Sequence, residues 1–340
     1  MSALAPFAVE PDQTRGRAHA EPMPDGGERA PHQRDRDRII HSRAFRKLLY
    51  KTQVFVSDEN DSLRTRLTHS MEVAQISRDM CRALELNEDL GETIALAHDL
   101  GHSPFGHSGE DALSDCLNER GLPSFNHNLQ TLRIVTGLER RYAAFDGLNL
   151  CWETLEGIAK HNGPVSSPLP YALADYNARH DLELHTHAGA EAQAAAIADD
   201  IAYNNHDLHD GLRAELFTMD ELRALPILRD CFAEVDAAHP GLEPKRLRHE
   251  ALRRFFGVLV ADVIAVSRKN LVDSGAADVR DIRAAGRMMV QFSPGVWSDL
   301  KEIRAFLFAR MYRAPSVVQM RAEVTQVIHA LFPIYMADTT

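Results

Sequence analysis

Apolar residues recur along most of this chain at three- and four-residue spacing, the period of a helix with one buried face. From Arg34 the stripe is Ile40, Ala44 and Leu48, with Phe45 and Leu49 beside it. His69, Val73, Ile76 and Met80 form the next stripe and predict a helix over 66–84. Another is expected over about 88–100, stopping at Gly101 with Pro104 shortly after, because glycine accepts the turn that ends a helix and proline cannot continue one. Further helices are expected near 107–119, 127–140, 152–161, 188–209, 219–234, 246–270, 277–291, 298–311 and 315–331. One short β-rich piece, Gln53-Val54-Phe55-Val56, leads into a polar turn from Ser57 to Ser62. No sustained alternation and no βαβ rhythm is present, so the expected class is all-α, in one domain over 34–340. Residues 1 to about 33 are rich in Pro, Gly, Arg and Glu, lack apolar periodicity and read as an extended arm or mobile leader.

Composition narrows the class. Hydrophobic residues are 44% and charged residues 26% of the 340, which excludes disordered, collagen-like and coiled-coil proteins. The 38 Lys+Arg against 49 Asp+Glu give a net charge of −11, the wrong sign for holding nucleic acid by bulk charge. The longest apolar run, Phe255 to Val266, is broken by Asp262 and falls short of the ~20 residues a membrane span needs. The first thirty residues lack a signal peptide's apolar core, so the expected address is the cytoplasm. Cysteines at 81, 116, 151 and 231 form no CxxC pair and suggest neither a zinc ribbon nor a disulfide framework. Histidine, at 17 residues, is the unusual count.

The histidines cluster. In His98-Asp99-Leu100-Gly101-His102-Ser103-Pro104-Phe105-Gly106-His107-Ser108-Gly109-Glu110, an imidazole beside a carboxylate offers a divalent metal one N and one O ligand. Neighbours on a helix diverge by about 100°, so both reach one ion only near a helix end, which Gly101 and Pro104 supply. Taken alone, the pair is better read as a helix terminus making local hydrogen bonds. His69, on the apolar stripe before it, could equally be a core histidine satisfied by a carbonyl. Asp199 lies along an alanine-rich face, Ala192, Ala195, Ala196 and Ala202, where a carboxylate is costly to bury unless paired or bound to metal; the adjacent Asp200 offers a solvated acidic patch instead. Together His69, His98, Asp99 and Asp199 make a His-His-Asp-Asp set on three helices, which suits Mn²⁺, Mg²⁺, Fe²⁺ or Zn²⁺ with positions left open.

That ordered set resembles the HD-domain metal-dependent phosphohydrolases. The match extends to the bacterial deoxyguanosine triphosphate triphosphohydrolase-like proteins through Gln33 to Leu48, Lys51 to Phe55, Arg64 to Ala74 and Leu96 to His107. It continues through Phe125 to Asn128, Lys160 to Pro164 and Ala198 to Asp207, covering about residues 6–270. The resemblance implies an HD-domain helical bundle with additional C-terminal helices, a catalytic core at about 60–210 and a helical C-terminal part at about 211–340. One segment departs from the pattern: past Ile328 to Ala337 no Asp-Tyr-Ile-Ala-Gly-Met-Thr-Asp-like run follows, which bears on C-terminal packing and oligomer contacts.

The activity implied by resemblance is hydrolysis of a deoxynucleoside triphosphate to deoxynucleoside and inorganic triphosphate. His107 and Glu110, three apart on one helix face, become a catalytic dyad, with His102 and His127 as further phosphate or proton-transfer groups. Without the resemblance they read as a solvated loop and helix start. Tyr203 and Asp207 follow Asp199 at four and eight residues: the ring can pack under a deoxyribose and exclude a 2′-hydroxyl, and the carboxylate can accept from the 3′-hydroxyl. Gln53 can bond the sugar or base edge, and Arg66 and Lys160 can take phosphate oxygens, where surface ion pairs are the plainer reading. Mn²⁺ or Mg²⁺ is the expected ion, with Fe²⁺, Co²⁺, Ni²⁺ or Zn²⁺ compatible. Expected partners are the nucleotide substrate, a second nucleotide as activator and further copies of the chain. The basic stretch Arg34, Arg36, Arg38, Arg43, Arg46 and Lys47 suits that second nucleotide or the chain's own carboxylates equally.

Three rivals stand beside this reading. His98-Asp-Leu-Gly-His102 echoes the HExxH helix of zinc peptidases, but that motif needs an unbroken helix and a Glu base, and Gly101, Pro104 and Asp99 argue against both. A second is another HD-type phosphohydrolase, acting on monophosphates, cyclic dinucleotides or alarmones. The third is a non-catalytic nucleotide sensor.

Overall fold

The computed structural model of the chain describes residues 3–21, 29–53 and 64–337. Their regular structure is helical, with no β-strand among them and only isolated bridges such as Arg17–Cys151 and Thr52–Thr65. The all-α expectation holds.

Helices α1 (Pro31–Ile40) and α2 (Arg43–Lys47) are separated at His41–Ser42, where the Ser42 hydroxyl accepts from Phe45 N–H and starts a new helix within the single stripe expected there. Helix α3 (Arg66–Ala83) is capped by Thr65 and α4 (Glu88–Ala97) by Asn87, each side chain accepting a first-turn N–H. Next come α5 (Gly106–Asn118), α6 (His127–Arg133), α7 (Trp152–Ala159) and α8 (Tyr171–Asn177), the last of them not anticipated. Helix α9 (Ala190–Arg213) then runs through the centre, packed on α3 and α4, with α1 and α7 on the other sides of α4. Its buried alanines at 190, 192, 194, 195, 198 and 202 leave room for that close three-helix contact.

Two long helices expected toward the C-terminus are shorter. The 219–234 segment splits into α10 (Met219–Arg223) and α11 (Leu228–Ala238), because Pro226 cannot continue a helix. After α12 (Pro244–Asp273), the 277–291 segment yields only α13 (Val279–Ala284); beyond it the buried Gln193 amide oxygen accepts from Met289 and Val290 N–H, holding an irregular stretch. Helix α14 (Pro294–Leu307) passes through a π-turn, Phe308–Tyr312, into α15 (Pro315–Ala337). One hydrophobic core runs from Ala8 to Met311, and a small separate cluster joins α15 to α5 through Ala112, Cys116, Val324 and Ile328.

The leader expected over residues 1–33 is extended but, over 3–21, not loose. Ala5, Ala8 and Val9 are buried, Val9 N–H donates to Glu191 on α9, and Arg17 bonds Asp35 and the Asn149 carbonyl. Short apolar contacts without period were invisible to a periodicity reading. In the basic stretch, Arg36 pairs with Asp89 and Glu92 and Arg38 with Glu21, so these two are spent on the chain's own carboxylates. The expected β-rich piece and turn lie outside the described residues from 54 onward.

Candidate metal centre and adjoining cavity

Helix α4 ends at Ala97, and the turn after it presents His98 and Asp99 from adjacent positions. Thr131 on α6 fastens this turn, its hydroxyl accepting from Gly101 N–H at 2.8 Å. Gly101 is required for that approach, since a Cβ there would stand 2.1 Å from the His127 carbonyl oxygen. His98 donates from Nδ1 to the Ala95 carbonyl at 2.6 Å, which leaves Nε2 with a free lone pair. That nitrogen lies 3.4 Å from Asp99 Oδ1 and 3.6 Å from Asp199 Oδ1. His69, on the inner face of α3, brings Nε2 to 2.9 Å from the same Asp199 oxygen. Donor atoms of His69, His98 and Asp199 thus gather within 4.8 Å of one another, and Asp99 adds one oxygen beside them. Its other oxygen accepts from Arg66 at 2.8 Å. Burial alone would raise the Asp99 carboxyl, but Arg66, then His98, His102 and His69, outweigh it and hold it well below the usual range.

A relay behind His69 sets its tautomer. Glu72 accepts from His206 Nε2 at 2.7 Å, so a neutral His206 has a bare Nδ1 facing His69 Nδ1 at 3.4 Å. Burial lowers the His206 pKa and keeps it neutral, and Glu72, despite its own burial, is brought down to about 2 by His206 and Arg64. His69 therefore carries its proton on Nδ1, and its bare Nε2 faces a bare carboxylate oxygen. Lone pairs converging with no proton between them are what a divalent cation resolves, so the residues present fit a metal. His206→Phe, which removes the acceptor for His69 Nδ1–H, is expected to weaken Mn²⁺ binding roughly 10–100-fold in a folded protein. Titration calorimetry showing wild-type affinity would refute the relay.

The centre forms one wall of a cavity of about 330 Å³. His102, His107, Ser108, His127 and Asn128 line a second wall. Glu110 stands behind it, accepting from His127 Nδ1 at 2.8 Å and from His107 Nδ1 at 3.3 Å. Those imidazoles outweigh burial and hold Glu110 well below the usual carboxyl range. The expected His107–Glu110 pair is brought together, but the carboxylate is shared, and the His127 ring is the more enclosed, at 19% side-chain exposure against 68% for His107. His102, pushed down to about 2 by burial, is neutral and stacks on His127 with ring centroids 3.9 Å apart. His102, Glu110 and His127 also gather donors within 4.8 Å, yet two stacked rings keep their in-plane lone pairs in parallel planes and cannot aim both at one ion.

Gln53, Arg66 and Tyr203 line the same cavity, as expected. Asp207 does not reach its surface: it is buried behind Tyr203, and the Tyr312 hydroxyl bonds both residues. Burial, then Asp210, pushes the Asp207 carboxyl well above its usual range. Lys160 is the clear correction. Its ammonium is fully buried, donating to Glu156 at 2.9 Å and to the Thr186 hydroxyl at 2.8 Å, with Arg283 closing on the same Glu156 carboxylate. The i, i+4 spacing from Glu156 turns the side chain inward, away from any phosphate. Lys160→Met leaves that carboxylate one partner short, and we expect a loss of about 1–3 kcal/mol of stability with an unchanged substrate KM; a raised KM at unchanged melting temperature would reverse the assignment.

His161 and Asn162, the next two residues, face the cavity instead, with His161 Nε2 3.6 Å from Asp199 Oδ2. The Lys-His-Asn-Gly run was in view in the sequence; which of its members points inward was not. Asp200, read as a solvated acid, lines the cavity, as do Tyr312 and Arg321, which carried no sequence signal of their own. Of the residues lining the cavity, Gln53 Oε1, Arg66 Nε, His102 Nδ1 and His161 Nδ1 are buried without a hydrogen-bond partner. Four orphaned polar atoms on one cavity point to a polar ligand.

Comparison with known proteins agrees with this geometry. The HD domain family matches residues 66–204, and the phosphohydrolase-associated domain matches 290–340. A deoxyguanosinetriphosphate triphosphohydrolase-like protein of Jannaschia sp. (strain CCS1) is 64% identical over 332 residues, 98% of this chain and 83% of the relative. Similarly named proteins of Roseobacter denitrificans and Rhizobium johnstonii are 62% and 51% identical over 98% and 99% of this chain, which spans 85% and 84% of theirs. The HD domain is that of metal-dependent hydrolases, and no described helix is long and apolar enough to cross a membrane. With HD-motif side chains gathered at one cavity and near-full-length relatives at this identity, the chain belongs to the deoxyguanosinetriphosphate triphosphohydrolase-like family of HD-domain phosphohydrolases.

Proposed function

We propose that this protein hydrolyses a deoxynucleoside triphosphate to the deoxynucleoside and inorganic triphosphate. The observation that carries the reading is the convergence, in one cavity, of the His69–His98–Asp199 donor set with the Glu110-held imidazoles. The relatives' names supply the substrate class.

His69, His98, Asp99 and Asp199 would hold the ion, Mn²⁺ or Mg²⁺, which when bound would polarise the α-phosphate and lower the pKa of water. Water adds to the α-phosphorus, the bond to the 5′ oxygen breaks, and the water oxygen leaves on the triphosphate. His107, oriented by Glu110, moves a proton at this centre, with His127 sharing the same carboxylate. The 5′ oxygen must depart protonated, and His102 and His127 serve as further phosphate or proton-transfer groups. Arg66, already tied to Asp99, reaches the same phosphates. The Tyr203 ring packs under the sugar, excluding a 2′-hydroxyl, and Gln53 bonds the sugar or base edge. Asp207 meets a 3′-hydroxyl once Tyr312 gives way.

The test is product analysis by ion-exchange chromatography with Mn²⁺ and the four deoxynucleoside triphosphates, singly and mixed. Deoxynucleoside with intact triphosphate is expected, and activity confined to mixtures would identify a second nucleotide as activator. Monophosphate with pyrophosphate would overturn the reading and move the protein to another phosphohydrolase class.

A further inference from the structure

We propose that Arg321 on α15 is the cation that binds the far end of the substrate's phosphate chain, so that polyphosphate length is read by the C-terminal helix. This rests on the reading above only in taking the cavity to receive a polyphosphate.

Arg321 lies on the inner stripe of α15, three and four residues from the buried Val324 and Val317, and it lines the cavity. Arg321 itself is half-buried there, beside the cavity. Among the described residues, however, no hydrogen bond, ion pair or ring contact engages its side chain. Of the other cations near the cavity, Arg66 is paired with Asp99 and Arg304 with Asp200, and the Lys51 ammonium donates to the Leu100 carbonyl. The walls carry three carboxylates, Asp99, Asp199 and Asp200, against two guanidiniums, Arg66 and Arg321. That surface repels a triphosphate unless cations offset it, and a metal ion held among His69, His98 and Asp199 would offset part of it. Arg321 is the free charge left for the other phosphates, and its planar fork suits two of their oxygens.

The helix that carries it is seated on little else. Its contact with α5 is the small cluster of Ala112, Cys116, Val324 and Ile328, apart from the main core. Phe105 packs on that cluster and also lines the cavity. A ligand held by Arg321 therefore adds directly to the seating of α15, and by linkage a well-seated α15 binds the ligand more tightly.

The experiment uses Mn²⁺-loaded full chain with inorganic phosphate, pyrophosphate and tripolyphosphate as probes, alongside deoxynucleoside triphosphate kinetics. Affinity is expected to rise with chain length in the wild type. Arg321→Ala should lose roughly 10–100-fold of tripolyphosphate affinity, with a matching rise in KM and a smaller change in kcat, while Arg321→Lys recovers part. Hydrogen exchange in α15 should slow on adding tripolyphosphate in the wild type and not in Arg321→Ala. Wild-type tripolyphosphate affinity in Arg321→Ala overturns the proposal, even where nucleotide KM rises, because the guanidinium then reads the nucleoside. Absence of tripolyphosphate binding in the wild type overturns it too. If the wild type binds tripolyphosphate but releases no deoxynucleoside, the proposed reaction fails, and Arg321 is still decided by the probe affinities.

Discussion

His98→Ala is expected to yield a folded protein with neither stoichiometric metal nor hydrolysis. The substitution removes a nitrogen whose lone pair is aimed by the Ala95 carbonyl and leaves Asp199 facing only His69 and His161. Buried carboxylates without their counter-ion are costly, so the apo centre should take up a proton or rearrange rather than hold ions weakly. Metal analysis of the dialysed variant, with turnover measured over a range of added Mn²⁺, checks both. A turnover loss of at least about 10³-fold is expected, the scale of removing a charge-stabilising centre. Undiminished hydrolysis by His98→Ala would sink the metal assignment.

His107→Ala should separate metal from chemistry. His107 contacts Glu110 and the cavity but none of the three converging donors, so the variant is expected to bind metal as the wild type does. Turnover should fall about 10²–10⁴-fold, the usual worth of a positioned proton-transfer group. The shared carboxylate sharpens the comparison. His127→Ala removes the shorter of the two Glu110 contacts, and if it costs more than His107→Ala at equal metal content, the proton-transfer role belongs to His127.

The helical class was legible in the sequence because a 3.6-residue stripe sets a buried face. His69, His98 and Asp199 were legible only as an ordered set that resembles a family, because each alone reads as a core histidine, a helix terminus or a solvated acid, and it is tertiary packing that joins residues 130 apart. Asp207 and Lys160 show where such reasoning stops. Helical spacing put Asp207 on the same broad face as Asp199, yet Tyr312, 105 residues away, covers it. Lys160 stood beside the right residues, but a Glu one turn back captured its charge. Arg321 was missed because a lone arginine on an apolar helix has no local mark, and only α15 docking on α5 brings it to the cavity. The relay through His206 and Glu72 depends equally on α9 lying against α3.

The N-terminal segment has a consequence for how the protein is made. Val9 is fastened to Glu191, 182 residues further along, and His69 to Asp199, 130 residues further. During synthesis this segment leaves the ribosome well before the helix α9 that seats it. At about 5–20 residues per second, its apolar residues wait roughly 10–35 s for α9 to emerge. Ala5, Ala8 and Val9 spend that interval in water, where a chaperone or a neighbouring nascent chain can reach them before Glu191 does.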